Sequence, residues 1–128
     1  MIKVLIADDQ NNVRTSLKLQ FRVEKDFLVV GEAKNGEQAL QQAALLHPDI
    51  TLMDLNMPGM DGLTATSLMG QVSPECRVVI LSIQDDPATQ AAARSAGAAA
   101  FVPKSDVEIL LGVIRQVFIE STRNSAPT

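Results

Sequence analysis

The chain contains no tryptophan and no tyrosine, and Cys76 is the only cysteine among its 128 residues. A single cysteine cannot form an internal disulfide, which excludes the small secreted domains that disulfides hold together. We interpret Cys76 as a small apolar core residue. The cysteine content fits a reducing compartment, so a cytoplasmic location is expected.

An excess of positive charge is also lacking, because 11 lysines and arginines stand against 15 aspartates and glutamates, for a net charge of −4. Nucleic-acid binding depends on a basic surface, so direct contact of this domain with DNA or RNA is not expected. The apolar runs are interrupted within about six residues, whereas a bilayer span needs about 20. No membrane segment and no export signal are expected.

Apolar residues make up 46% of the chain and charged residues 20%, which is typical of a folded, water-soluble domain. The length suits one domain. We assign residues 1–120 to this domain. The polar residues 121–128 have no apolar stripe and are interpreted as a C-terminal tail or the start of a linker to a further domain.

Short apolar runs alternate with helical patterns along the chain. The runs predict strands at residues 2–7, 27–30, 49–54, 77–82 and 98–102. The intervening patterns predict helices from Asn11 or Asn12 as cap, at 37–46, 63–70 and 87–96, and from Ser105 to about Glu120. This alternation indicates an α/β fold, a doubly wound parallel sheet with helices on both faces.

The first helix is predicted from Val13, Leu17 and Phe21, which recur at four-residue spacing. Arg14 is assigned to another face of this helix. The basic residues Lys18 and Arg22 are assigned there too.

Three carboxylates follow predicted strands: Asp8 and Asp9 follow the first, and Asp54 follows the third. Ligands of doubly wound sheets bind beyond the carboxyl ends of the strands, so these acids should converge. Their mutual repulsion requires a cation or a proton, and Mg²⁺ accepts such oxygen ligands while leaving positions for a phosphoryl group. Asp8 and Asp9 could instead only cap the first helix.

Two further polar residues should lie on the same rim of the sheet, Ser82 at the end of the fourth strand and Lys104 after the fifth. A hydroxyl donor, a cationic side chain and a metal ion together suit the binding of an oxyanion. Phosphoryl transfer needs mainly positioning and charge stabilisation, and a carboxylate can be its nucleophile. Asp54 is the candidate for that role.

These residues resemble the receiver domains of two-component response regulators. The resemblance rests on Asp8-Asp9, the segment Leu52-Met-Asp54-Leu-Asn-Met-Pro-Gly-Met-Asp-Gly-Leu63, Ser82, Ala96-Gly-Ala98 and Phe101-Val-Pro-Lys104-Ser105. It spans residues 1 to about 120. It implies the flavodoxin-like (βα)5 fold with strand order 2-1-3-4-5.

The resemblance also implies an Mg²⁺ site and a phosphoacceptor. Asp54 would be the phosphoacceptor and, with Asp9, a direct ligand of one Mg²⁺ ion. Asp8 would act on the ion through water, and Asn56 would contribute its backbone carbonyl.

The resemblance further assigns the phosphoryl contacts and the switch. Lys104 would pair with the phosphoryl group and Ser82 would hydrogen-bond it. Phe101 would be the switch aromatic, which turns inward as the hydroxyl of Ser82 moves toward the phosphate. Pro103 precedes Lys104, and the Lys104-Ser105 peptide bond is expected to be trans.

The implied function is a signalling switch, not an enzyme, which takes a phosphoryl group from a sensor histidine kinase or phosphotransfer protein. The segments 31–36 and 101–105 resemble NarL/FixJ-type regulators, which control transcription through a helix-turn-helix domain. A homodimer is expected through the fourth helix, fifth strand and fifth helix, or through the last helix alone, where Ile109, Leu111 and Ile119 widen the apolar surface.

Two other functions remain open from the sequence. The chain could be a pseudo-receiver that binds proteins without being phosphorylated. An aspartyl phosphohydrolase is the other alternative, although Asn56 stands where haloacid-dehalogenase-like enzymes place a second acid.

Overall fold

In a computed structural model, the backbone is described for residues 1–124 and the side chains for residues 1–122. Five parallel strands form one sheet in the order β2-β1-β3-β4-β5. The predicted topology is therefore confirmed. The strands are β1 (Ile2–Ala7), β2 (Phe27–Ala33), β3 (Ile50–Met53), β4 (Arg77–Ser82) and β5 (Ala100–Pro103).

Five α-helices connect or follow these strands: α1 (Asn11–Arg22), α2 (Gly36–Leu46), α3 (Gly62–Val72), α4 (Pro87–Ala96) and α5 (Leu110–Asn124). Asn35, Asp61 and Asp86 cap α2, α3 and α4, each accepting a hydrogen bond from the backbone amide three residues on. Pro87 starts α4, and Gly97 ends it in the left-handed conformation with φ 108°. None of the helices within residues 1–124 combines the length and apolar content that a bilayer span requires.

The sheet is covered on both faces, and alternate residues of each strand enter different apolar layers. Val4 and Ile6 of β1 pack in the layer that holds Leu17 and Phe21 of α1 and the buried face of α5. Leu5 and Ala7 pack in the opposite layer. The second layer also contains small residues of α2, α3 and α4, together with Cys76, whose predicted burial is confirmed. Burial raises the pKa of the Cys76 thiol to about 11, so the thiol is unreactive.

The chain between β5 and α5 differs from the prediction. Ser105 does not cap an α-helix, because residues Lys104–Ile109 form 3-10 turns in which Asp106 leaves the helical range with φ −114° and ψ 37°. The regular helix therefore begins only at Leu110 and continues to Asn124, beyond the predicted end near Glu120. Residues 125–128 of the predicted tail lie outside the described residues, and the domain boundary at 120 stays a prediction.

The start of α1 also differs from the prediction. The N-cap is Gln10, and no side chain caps the helix, so the predicted caps Asn11 and Asn12 are wrong. The carboxylate of Asp8 accepts a hydrogen bond from the amide of Gln10 at 2.9 Å. This local turn starts the helix one position early, which places Asn11 inside the first helical turn.

Candidate functional site

Three carboxylates meet at the carboxyl ends of β1 and β3. The amide of Asp54 donates to the carbonyl of Ala7 at 2.9 Å, which brings the end of β3 beside the end of β1. One carboxylate oxygen from each of Asp8, Asp9 and Asp54 lies within 4.8 Å of the others. The expected convergence of the three acids is confirmed. Neither Asp8 nor Asp9 caps α1, so the alternative reading of these acids as helix caps is wrong.

This cluster fits a hard divalent cation by its chemistry. Asp8 and Asp54 are buried and Asp9 is exposed, so two of the clustered carboxylates lie below the surface and the third lies at it. Carboxylate oxygens are the ligands that Mg²⁺ prefers, and clustered negative charge in a buried pocket favours a cation. The backbone amide of Asn56 donates to Asp54 Oδ1 at 3.3 Å. This contact places the residue beside the cluster, whereas the carbonyl of Asn56 as a ligand remains a prediction.

Lys104 reaches the acids from the end of β5. Its Nζ lies 3.0 Å from Asp8 Oδ2 and 3.8 Å from Asp54 Oδ2. The ammonium group therefore offsets part of the negative charge of both buried acids. The peptide bond from Lys104 to Ser105 is trans, as expected.

The environment of Asp54 disfavours the ionised form of its carboxyl. The pKa of its carboxyl is raised to about 6, first by burial and then by the charges of Asp8 and Asp9, and this net value includes the opposite effects of Lys104 and the amide of Asn56. The same environment that holds back ionisation favours any cation or positively charged group that enters the pocket.

Ser82 and Phe101 lie on the neighbouring strands β4 and β5. Ser82 is fully buried at the end of β4, and its Oγ accepts a hydrogen bond from the amide of Gln84 at 3.0 Å. Phe101 is half-buried in β5 and packs against the apolar layer of α2, α3 and α4. A cavity of about 220 Å³ lies beside its ring, between β5 and α4. The Ser82 hydroxyl and the Phe101 ring thus lie on neighbouring strands. The hydroxyl has a hydrogen bond that a rearrangement can break, and the ring has a cavity into which it can move.

Arg14 is the residue near the site whose position was predicted wrongly. The four-residue spacing of the apolar residues assigns it to a different face of the first helix from Leu17 and Phe21, yet Arg14 is 4% exposed. Its Nη1 donates to the backbone carbonyl of Asp8 at 2.7 Å. The signal was present in the spacing, because residues 14, 17 and 21 lie on one helical stripe, and Leu17 and Phe21 are buried.

Comparison with known proteins gives the family. The family model of the response regulator receiver domain matches residues 4–115 of this chain. GacA, a response regulator of Pseudomonas aeruginosa, is 38% identical over 119 residues, which are 92% of this chain and 56% of that protein. The chain thus spans about half the length of the curated relatives it matches.

Solved structures agree with the sequence comparison. The response regulator domain of CheB from Thermotoga maritima superposes with a TM-score of 0.86 at 30% identity, covering 99% of both chains. The signal receiver domain of a NarL response regulator from Mycobacterium tuberculosis superposes with a TM-score of 0.84 at 29% identity, covering 94% of this chain and 96% of that one. The matched fold is the flavodoxin-like sheet described above.

The general role of this family is phosphorylation-based switching in two-component signalling, and its members generally bind Mg²⁺ in an acidic pocket and interact with histidine kinases or phosphotransfer proteins. The acidic cluster and Lys104 lie at the edge of the sheet where such a pocket is expected. The chain belongs to the family of response regulator receiver domains.

Proposed function

We propose that this chain is a switch that accepts a phosphoryl group on Asp54 from a phosphohistidine of a sensor kinase or phosphotransfer protein. The observation that carries the proposal is the environment of Asp54. Its carboxylate is buried beside two other acids, and the ammonium of Lys104 lies 3.8 Å from its Oδ2. This combination positions a nucleophile in a pocket that needs added positive charge.

The proposed transfer is a substitution at phosphorus. A carboxylate oxygen of Asp54 supplies the electron pair for the new P–O bond, and the P–N bond to the donor imidazole breaks. The imidazole nitrogen keeps that electron pair and takes up a proton. Lys104 moves from its contact with Asp8 to the phosphoryl oxygens, where its charge stabilises the transferred group. Water later hydrolyses the acyl phosphate and restores Asp54, so the chain catalyses only its own phosphorylation and dephosphorylation.

One Mg²⁺ ion is the proposed cofactor. Asp9 and Asp54 would bind it directly, with the backbone carbonyl of Asn56, and Asp8 would act through water. When bound, the ion neutralises the acids and stabilises charge on the phosphoryl oxygens. Removing divalent cations should therefore stop labelling of Asp54.

The proposed response uses Ser82 and Phe101. A phosphoryl group on Asp54 offers acceptors to the Ser82 hydroxyl, which then turns away from the amide of Gln84. In this proposal the ring of Phe101 then turns inward, and the cavity of about 220 Å³ that Phe101 lines gives it space. The region around Ser82 and Phe101 then has two packing arrangements. The phosphoryl group shifts the equilibrium between them, which makes the domain a two-state switch.

The proposed setting is cytoplasmic, and the proposed output is transcription through a helix-turn-helix domain outside this chain. LnrK of Bacillus subtilis, which is named a transcriptional regulatory protein and is 36% identical over 104 residues, supports an output in transcription. The alternative is a pseudo-receiver, which would bind partners without phosphorylation.

Incubation with acetyl phosphate and Mg²⁺, followed by intact-mass measurement, tests the proposal. We expect the mass of one phosphoryl group to be added, and no addition when a chelator removes the metal. Beryllofluoride should shift the amide NMR signals of Asp54, Ser82 and Phe101. A folded protein with neither adduct nor shifts would be a pseudo-receiver.

We also propose a homodimer through α5 and the neighbouring α4–β5 region. Of the three residues predicted to widen the apolar surface, Ile109 and Ile119 are 49% and 46% exposed, whereas Leu111 is half-buried and packs against the core. Beryllofluoride should raise the mass measured by sedimentation to that of a dimer, and Ile119→Glu should keep the monomer mass. An unchanged mass of the activated protein contradicts this proposal.

A further inference from the structure

Arg14 has an unusual environment for a residue on a surface helix. It is 4% exposed and lies on the same buried face of α1 as Leu17 and Phe21. Burying a guanidinium costs free energy unless its donors are paired, and an apolar residue of similar size packs such a position at lower cost. Packing alone therefore does not account for arginine at this position.

The contacts of Arg14 connect three parts of the chain. Nη1 donates to the carbonyl of Asp8 at 2.7 Å, Nε donates to Glu32 Oε1 at 3.0 Å, and Nη2 donates to Asn11 Oδ1 at 3.0 Å. Glu32 lies in the edge strand β2 and also accepts from Lys18 at 2.9 Å. Hydrogen bonding to Lys18 and then Arg14 lowers the pKa of Glu32, so Glu32 stays charged as a counterion. The planar fork of the guanidinium thus links β2 and α1 to the turn after β1.

Asp8 is held at each of its polar groups. Its amide donates to Ala33 at 3.0 Å, and its two carboxylate oxygens accept from Gln10 at 2.9 Å and from Lys104 at 3.0 Å. Its carbonyl accepts from Arg14. That carbonyl belongs to the peptide group between Asp8 and Asp9, so the orientation of this peptide group decides where the carboxylate of Asp9 points. The same turn leads into α1, whose N-terminus has no side-chain cap.

We propose that Arg14 is a positioning residue for the acidic pocket: it fixes the Asp8–Asp9 peptide so that both carboxylates face the cation that Asp54 shares. The inference rests on the proposed function, because it assumes that the pocket binds Mg²⁺. Residues that orient metal ligands without touching the metal typically contribute about 10- to 100-fold to metal affinity. Arg14 acts in this way through the backbone of Asp8.

The test compares Arg14→Met with the wild-type protein in two measurements. In metal-free buffer, hydrogen exchange of the Asp8 and Gln10 amides should be about tenfold faster in the variant, because the turn opens more often. In an Mg²⁺ titration followed by amide NMR shifts, the dissociation constant should rise about tenfold or more. Arg14→Lys keeps the charge but lacks the planar fork of donors. Its exchange rates and its Mg²⁺ dissociation constant should therefore lie between those of the wild-type protein and of Arg14→Met.

Two controls separate positioning from general stability. Leu17→Ala removes core packing one turn further along α1 and should lower stability while leaving Mg²⁺ affinity unchanged. Glu32→Gln weakens the ion pair but keeps the bond from Arg14 to the Asp8 carbonyl, so affinity should change less than about threefold.

Each result decides the inference. Unchanged hydrogen exchange of the Asp8 and Gln10 amides in both Arg14 variants overturns the inference, whatever the Mg²⁺ affinity of the variants. Faster exchange with unchanged Mg²⁺ affinity also overturns it, since Arg14 would then support only local structure. A wild-type protein that binds no Mg²⁺ refutes the proposed metal site and positioning toward it, while the exchange rates still report whether Arg14 fixes the turn.

Discussion

Asp54→Asn should take up no phosphoryl group from acetyl phosphate and Mg²⁺ under conditions that label the wild-type protein fully. The amide of asparagine is not a nucleophile, and the substitution keeps the size of the side chain. The ion pair between Lys104 and Asp8 remains, so the pocket should keep its shape. Intact-mass measurement before and after incubation gives the extent of labelling.

The same substitution should stabilise the metal-free protein above about pH 6. The folded carboxyl of Asp54 has a pKa of about 6, raised from 3.8, so the folded state binds more protons than the unfolded state between these values. Stability of the wild-type protein is therefore lost as the pH rises through this window. One unit of pKa corresponds to about 1.4 kcal/mol, so the full shift corresponds to about 3 kcal/mol. Solvent screening reduces this value, and we expect Asp54→Asn to gain about 2 kcal/mol near neutral pH.

Urea unfolding of both proteins with a chelator, near pH 4 and near pH 8, measures this difference. The gain should shrink to well under about 1 kcal/mol near pH 4, because the folded carboxyl is protonated there and the unfolded one is only about half ionised. Asp61→Asn is the matched control, because Asp61 is exposed, caps α3 and should leave labelling unchanged. Full labelling of Asp54→Asn would refute Asp54 as the phosphoacceptor.

Gly62→Ala should destabilise the protein by about 3 kcal/mol and reduce labelling of Asp54. A Cβ atom at Gly62 would overlap the backbone carbonyl oxygen of Asp54 and lie 2.8 Å from Cα of Leu55. These are backbone atoms, so relief requires a shift of the segment that carries the phosphoacceptor. Urea unfolding gives the free energy, and the rate of mass increase with acetyl phosphate gives the effect on Asp54.

Gly70→Ala is the control for this prediction, because it makes the same change in the same helix. Gly70 is exposed, and a Cβ atom there would meet nothing within 4 Å. Alanine favours a helix over glycine, so this variant should gain up to about 1 kcal/mol and label normally. Equal stability of the two variants would contradict the steric argument.

The sequence predicted the elements whose patterns are local. β1 and β4 have the predicted bounds, and α4 runs from Pro87 to Ala96 as expected, because proline at its start and Gly97 at its end mark both termini. β2 extends to Ala33 beyond the predicted residue 30, since its last residues pair with β1 although they are less apolar. The start of α5 depended on the backbone of Asp106, for which the sequence pattern gives no signal.

The candidate site was predicted because its residues follow strands. Asp8, Asp54 and Lys104 end up together since parallel strands place their carboxyl ends at one edge. Arg14 was missed because a charged residue in a helix was assumed to face water. Its burial depends on partners in β2 and in the turn after β1, which are distant in the sequence.

The sequence by itself determined the alternation of strands and helices, the family and the set of acids, because each follows from short-range patterns and motifs. Tertiary structure alone decided which face of each strand enters which layer, since strands buried on both faces are apolar at most positions and show no alternation. Tertiary structure also raises the pKa of Asp54 and brings Arg14 into hydrogen-bonding contact with the carbonyl of Asp8. Burial and charge–charge distance are properties of the assembled fold, and no local pattern encodes them.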